Sequence, residues 1–164
     1  MAWLLLIAAV TLPLVIRTAS QATGPAITIV GVDGRRQTIA LEEMKRLPTL
    51  ARRSVYQNQY GNWRDEGVYA GVRLVDLVGE DDDYTTIRAV AEDGYAVTIE
   101  RARVEDPEFP MVLAYAFDGL EVPGWADGFR IVVLPEGGRV GNEAYGVESA
   151  GSYWVKNVER IVLQ

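Results

Sequence analysis

The sequence predicts an α+β domain, mostly β, in which mixed sheets are joined by short helices. Two patterns predict it. Apolar residues alternate with period two over several short segments bounded by turn dipeptides, and no helical periodicity runs beyond about two turns. Strands and helices do not alternate regularly, which disfavours a doubly wound parallel sheet. With 164 residues the chain has room for one ordinary domain, and no internal repeat is visible.

The elements follow in order. Ala26-Ile27-Thr28-Ile29-Val30, the Asp33-Gly34 turn and Arg36-Gln37-Thr38-Ile39 read as a hairpin. Leu41 to Leu47 carries apolar residues at helical spacing, with acids first and bases last, and Pro48 stops it. Arg53 to Gln59 reads as a strand running into a turn at Tyr60-Gly61-Asn62-Trp63, and Leu74 to Val78 as a short helix ended by Gly79. Thr86 to Ala91 and Tyr95 to Ile99 flank Glu92-Asp93-Gly94 as a second hairpin. Met111 to Phe117 and Phe129 to Leu134 are strongly apolar strands. A glycine-rich loop from Gly137 to Gly146 precedes a terminal strand, Tyr153 to Leu163.

Before this domain, Ala2 to Ile16 is apolar except at Thr11 and Pro13, and Ser20-Gln21-Ala22 offers small residues spaced as at a signal-peptidase site. Residues 1–22 are therefore expected to be a signal peptide or an N-terminal membrane anchor, and residues 23–164 the single domain. The segment is shorter than an ordinary spanning helix and lacks a basic start, so cleaved signal and retained anchor both stand. The expected location is extracytoplasmic, secreted or membrane-anchored through residues 2–16, although Arg17 on the far side of the apolar stretch disfavours an outward-facing domain under the positive-inside rule.

Composition excludes much chemistry. The chain has no Cys and no His, so it supplies no thiolate, disulfide, imidazole base or zinc finger. A net charge of −7 repels phosphate backbones, which argues against nucleic acid as a partner. Glu80-Asp81-Asp82-Asp83 has the oxygen ligands of a hard-cation site but not the spacing of a Ca²⁺ loop, and reads as a solvated turn. Asp65-Glu66, Glu92-Asp93 and Glu105-Asp106 could each lend a carboxylate to a paired-acid hydrolase; the same residues serve equally as ordinary turns and surface charge. Gly137-Gly138-Arg139-Val140-Gly141 could offer backbone N–H groups to an anion, although no clear helix follows it. The segment Tyr56 to Trp63 interleaves side-chain amides with aromatic rings, a combination suited to a planar polar ligand or to an edge strand capping the core.

Six stretches, in order, resemble the oxidoreductase molybdopterin-binding domain of sulfite oxidase, plant nitrate reductase and the catalytic subunit of protein-methionine-sulfoxide reductase. They are the Leu41-to-Pro48 helix, Tyr69-Ala70-Gly71-Val72-Arg73-Leu74-Val75-Asp76-Leu77, Ala91-Glu92-Asp93-Gly94-Tyr95 and Leu113-Ala114-Tyr115. Gly128-Phe129-Arg130-Ile131-Val132-Val133-Leu134-Pro135 and Trp154-Val155-Lys156-Asn157-Val158 complete the set. The resemblance implies a sulfite-oxidase-type molybdopterin-binding fold from about Ala26 to Leu163. It also implies a molybdenum-ligating cysteine where this chain has Gln59, so this is a member without that ligand. Lys156 matches the family's lysine for the pterin phosphate, Arg130 is a candidate anion contact, and Tyr153 and Trp154 stand where Arg and His are common.

The resulting expectation is a non-catalytic protein that binds a small ligand or a protein partner at the remnant cofactor face. Asn58, Gln59, Asn62, Trp63, Arg130 and Lys156 are the candidate contacts, with neither a cofactor nor a catalytic residue assigned. The alternative is a molybdopterin-dependent oxidoreductase, or a subunit of one, whose metal is held without cysteine.

Overall fold

Ile27 and Ile29 are buried on one face of β1 (Ala26–Val30) and Ile39 on β2 (Arg36–Ala40), so period two puts this hairpin's apolar side on the core. These strands belong to the computed structural model of the chain, which describes residues 24–79 and 83–164. The leader and most of the acidic run at 80–83 lie outside the described residues. Asp33 tightens the hairpin turn by accepting the Arg35 N–H at 2.9 Å. α1 (Leu41–Met44) follows directly, its Glu43 reaching back to the Ala40 N–H.

The chain then enters a second sheet through β3 (Thr49–Gln57) and β4 (Trp63–Arg73), an antiparallel pair. α2 (Leu74–Val78) returns it to the first sheet, where β5 (Thr86–Ala91) and β6 (Ala96–Glu100) form the Glu92-Asp93-Gly94 hairpin. After α3 (Arg101–Val104) come β7 (Met111–Phe117), the short β8 (Leu120–Glu121) and β9 (Arg130–Val133). β10 (Arg139–Val140), α4 (Asn142–Tyr145), a 3₁₀ turn at Ala150–Tyr153 and β11 (Val158–Leu163) close the fold.

The first sheet has the order β2-β1-β11-β5-β6, and the second β10-β3-β4-β7-β8 with β9 also on β7. Each sheet contains one parallel pair, β1 with β11 and β3 with β10, so both are mixed. Both contribute to one core, with Ile27, Ile87 and Ile161 from the first and Tyr69, Leu113 and Ile131 from the second.

Five local expectations are corrected. The strand expected over Arg53 to Gln59 runs from Thr49 to Gln57, because Asn58 already closes a turn. Trp63 to Arg73, expected only as a turn at its start, is the longest strand among the described residues. The first helix ends at Met44, and its last residues form turns instead. The terminal strand begins at Val158, since Ala150–Tyr153 is a 3₁₀ turn and Asn157 takes a left-handed φ of 49°. Short helices at Arg101–Val104 and Asn142–Tyr145 were not expected.

Candidate functional site

β4 carries one residue more than β3 across their shared segment: Ser54 faces Gly67, and Tyr56 faces Arg64. The extra residue makes a β-bulge, and Asp65 within it adopts a left-handed φ of 53°. For an aspartate this costs on the order of 1 kcal/mol and persists only where neighbours hold it. Tyr69 holds it here, donating its hydroxyl to the Asp65 carbonyl at 2.6 Å. Burial pushes the Tyr69 phenol pKa well upward, so this donor stays protonated.

The re-aimed Asp65 carboxylate meets Arg130, the first residue of β9. Arg130 is 1% exposed, a long cation placed in a core strand. Its Nη2 donates to Asp65 Oδ2 at 2.5 Å and its Nη1 to Asp127 Oδ2 at 2.9 Å. Lys156, on the segment that runs beside residues 127–131, places Nζ 3.1 Å from Asp127 Oδ2 and 3.8 Å from Asp65 Oδ2. Backbone bonds from Asn157 N–H to Asp127 O and from Ile131 N–H to Val155 O fix that neighbourhood. Two cations and two carboxylates are thus gathered, and their charges cancel.

Burial raises the pKa of the Asp65 carboxyl, but the hydrogen bond and charge of Arg130, with Lys156 and Tyr56, outweigh it and hold the group below its ordinary value. The Tyr56 hydroxyl donates to Asp65 Oδ2 at 3.4 Å. Its own pKa is raised by burial and then by the Asp65 charge. The Tyr56 ring lies 4.7 Å from that of Trp154, whose other contacts are Tyr69 at 5.2 Å and the Arg130 guanidinium at 5.4 Å. Arg130 Nε and Trp154 Nε1 are both covered and have no acceptor among the described residues.

A cleft of about 460 Å³ opens beside this cluster. Arg130, Lys156 and Trp154 form one part of its wall, Tyr56 another, and Glu92, Asp93 and Tyr95 of the β5–β6 turn a third.

The amide-rich segment serves mainly itself. Asn58 Oδ1 accepts the N–H groups of Tyr60 and Asn62, both at 3.0 Å, and its carbonyl accepts Asn142 Nδ2 at 2.8 Å. Gln57 spans from Gly61 O to the Asn142 N–H. Gln59 and Asn62 are exposed on the turn, and Trp63 stacks against Arg139 at 4.3 Å. None of Asn58, Gln59, Asn62 or Trp63 lines the cleft beside Arg130.

Of the six candidates, Arg130 and Lys156 are therefore brought together, and the other four lie on or next to a separate turn. Sequence reasoning named Asp65 only as half of an acidic pair and missed Asp127 and Tyr69. The one available signal was a charged run, Arg64-Asp65-Glu66, set between Trp63 and Gly67. In the glycine loop the Gly138 N–H is taken by Pro135 O, and just beyond it the Asn142 N–H is taken by Gln57 Oε1.

No family model matches the chain, and no curated protein does either. Among solved structures it is similar to the sulfane dehydrogenase SoxCD from Paracoccus pantotrophus, with a TM-score of 0.61 and 15% identity. The likeness covers 85% of this chain and 38% of that one, so this chain spans well under half the length of the structure it matches. The fold is α+β, mostly mixed β-sheet with short helices, of the sulfite-oxidase type.

The residues present do not fit the cofactor such a fold implies. The chain has no thiol, and Gln59 offers only an amide, a poor donor to a soft high-valent metal, on an exposed turn away from the cleft. The cations that would face a phosphate are already bonded to Asp65 and Asp127.

Proposed function

We propose that this chain is a non-catalytic, molybdopterin-domain-like protein that binds a small ligand at the remnant cofactor face. The observation that carries the proposal is the neutralisation of Arg130 and Lys156 by the chain's own Asp65 and Asp127. A phosphate-bearing pterin would have to displace those carboxylates from a buried guanidinium, and an uncompensated buried charge costs several kcal/mol. The absence of cysteine removes the thiolate ligand as well. The apolar stretch Ala2 to Ile16 and the small residues Ser20-Gln21-Ala22 support export, with the domain either released or held at the membrane.

Metal analysis tests this directly. The full chain, expressed in a host that makes molybdopterin and purified folded, is expected to retain no molybdenum or tungsten. Stoichiometric metal that survives purification would overturn the proposal in favour of a molybdopterin-dependent oxidoreductase without cysteine ligation.

A further inference from the structure

The cleft beside the ion cluster has a charge balance of its own. Arg130 is bonded to Asp65 and Asp127, and Lys156 lies closest to Asp127, so neither cation is offered alone to a ligand. Glu92 and Asp93, on the facing turn, are exposed and have no cationic partner within 4 Å among the described residues. Two carboxylates and two cations line the space, but both cations are already paired with Asp65 and Asp127 outside the lining, so the local sum is four carboxylates against two cations, in a protein whose net charge is −7. The field favours a positive guest.

The walls favour the same guest. Tyr95 is 54% exposed at the mouth, and the Tyr56 ring, half-buried, stands on another side. Such rings attract a desolvated ammonium through their π faces. The turn that carries the acids is rigid: Ala91 N–H bonds Tyr95 O, Gly94 N–H bonds Ala91 O, and Asp93 Oδ1 accepts the Tyr95 N–H at 2.9 Å. Glu92 N–H is tied to Asn157 O, next to Lys156.

A separate observation asks for an acceptor on the guest. Trp154, 5% exposed and part of the wall, has an indole N–H with no acceptor among the described residues. A buried donor left in that state is unfavourable and gains from an acceptor. The indole N–H is covered in this structure, and the Tyr56 ring, which donates its hydroxyl to Asp65 at 3.4 Å, lies 4.7 Å from the Trp154 ring.

We infer that this cleft binds a small organic cation carrying an acceptor oxygen, the ammonium group between Tyr56, Tyr95 and the Glu92–Asp93 turn and the oxygen toward the Trp154 indole N–H. The inference rests on the reading that the face holds no anionic cofactor. Metal content tests that reading separately, so the two can fail independently.

The test is a set of titrations of the ¹⁵N-labelled full chain at low ionic strength with three probes: acetylcholine, tetramethylammonium and acetate. Acetylcholine is expected to shift the amides of Gly94 and Tyr95 saturably and to move the Trp154 indole signal. Tetramethylammonium shifts the turn more weakly and leaves the indole signal in place, and acetate does neither. In the double variant Glu92→Gln and Asp93→Asn, which keeps the oxygen that caps Tyr95, acetylcholine affinity falls about tenfold. The variant's own spectrum checks that the fold is unchanged. Acetate moving the same signals, no response to either cation, or unchanged affinity in the double variant would each overturn the assignment. Equal binding of acetylcholine and tetramethylammonium would overturn the role given to the indole.

Discussion

Asp65 and Arg130, 65 positions apart in the chain, meet at 2.5 Å because one extra residue in β4 turns the Asp65 carboxylate toward the first residue of β9. Without the bulge the pleat would send that side chain to the other face. The bulge itself is secured by Tyr69, whose hydroxyl bonds the Asp65 carbonyl and whose ring lies 4.8 Å from Phe117. A buried cation, a left-handed aspartate and a buried tyrosine form one unit.

Tyr69→Phe removes only the hydroxyl of that unit. The expected result is a loss of about 1 kcal/mol in urea unfolding. A backbone shift localised to residues 64–67 should accompany it in amide spectra. Unchanged stability together with an unchanged spectrum would show that Tyr69 does not hold the bulge.

Asp65 also sets a pH dependence. Its folded-state pKa lies below the ordinary 3.8, so its contribution to stability is fully present above that value and is lost as pH falls through the folded pKa. Acid titration of the unfolding free energy should therefore be steeper below about pH 4 in the native chain than in Asp65→Asn. Parallel curves for the two proteins would contradict the ion-pair account.

Asp127→Asn removes the carboxylate nearest Lys156 while Arg130 keeps Asp65. This variant is expected to bind inorganic phosphate saturably near Lys156, where the native chain shows none in the same titration. An equal response in both proteins would mean that Asp127 is not what keeps anions away.

Two glycines contrast. Gly71 lies against the Leu113 carbonyl and the Ala114 backbone of β7, so Gly71→Ala should cost upwards of about 2 kcal/mol in a thermal or urea melt. Gly61→Ala meets open space, and only its positive φ of 75° is strained, at about 1 kcal/mol.

The sequence made the hairpins, the apolar strands β7 and β9 and the general α+β class legible, because each depends on local period and turn chemistry. β4 was hidden for a physical reason. Its glycines, Gly67 and Gly71, are there to admit the Phe117 ring and the β7 backbone, and its charged start, Arg64-Asp65-Glu66, hides the alternation. The candidate site was half legible. Arg130 and Lys156 stood out as cations on recognisable stretches, but their partners depend on a bulge and on a loop that folds back, which no local pattern encodes. Asn58 drew notice as a ligand contact, yet in the fold its side chain accepts the Tyr60 and Asn62 N–H groups of its own turn.

The claim that the face's cations are committed internally is tested most directly by a double-mutant cycle on Arg130 and Asp65, read by urea unfolding at neutral pH. Arg130→Met is expected to cost about 3 kcal/mol, and the double variant with Asp65→Asn at least about 1 kcal/mol less than the sum of the single losses. Strictly additive losses, or a gain in stability on replacing Arg130, would contradict it.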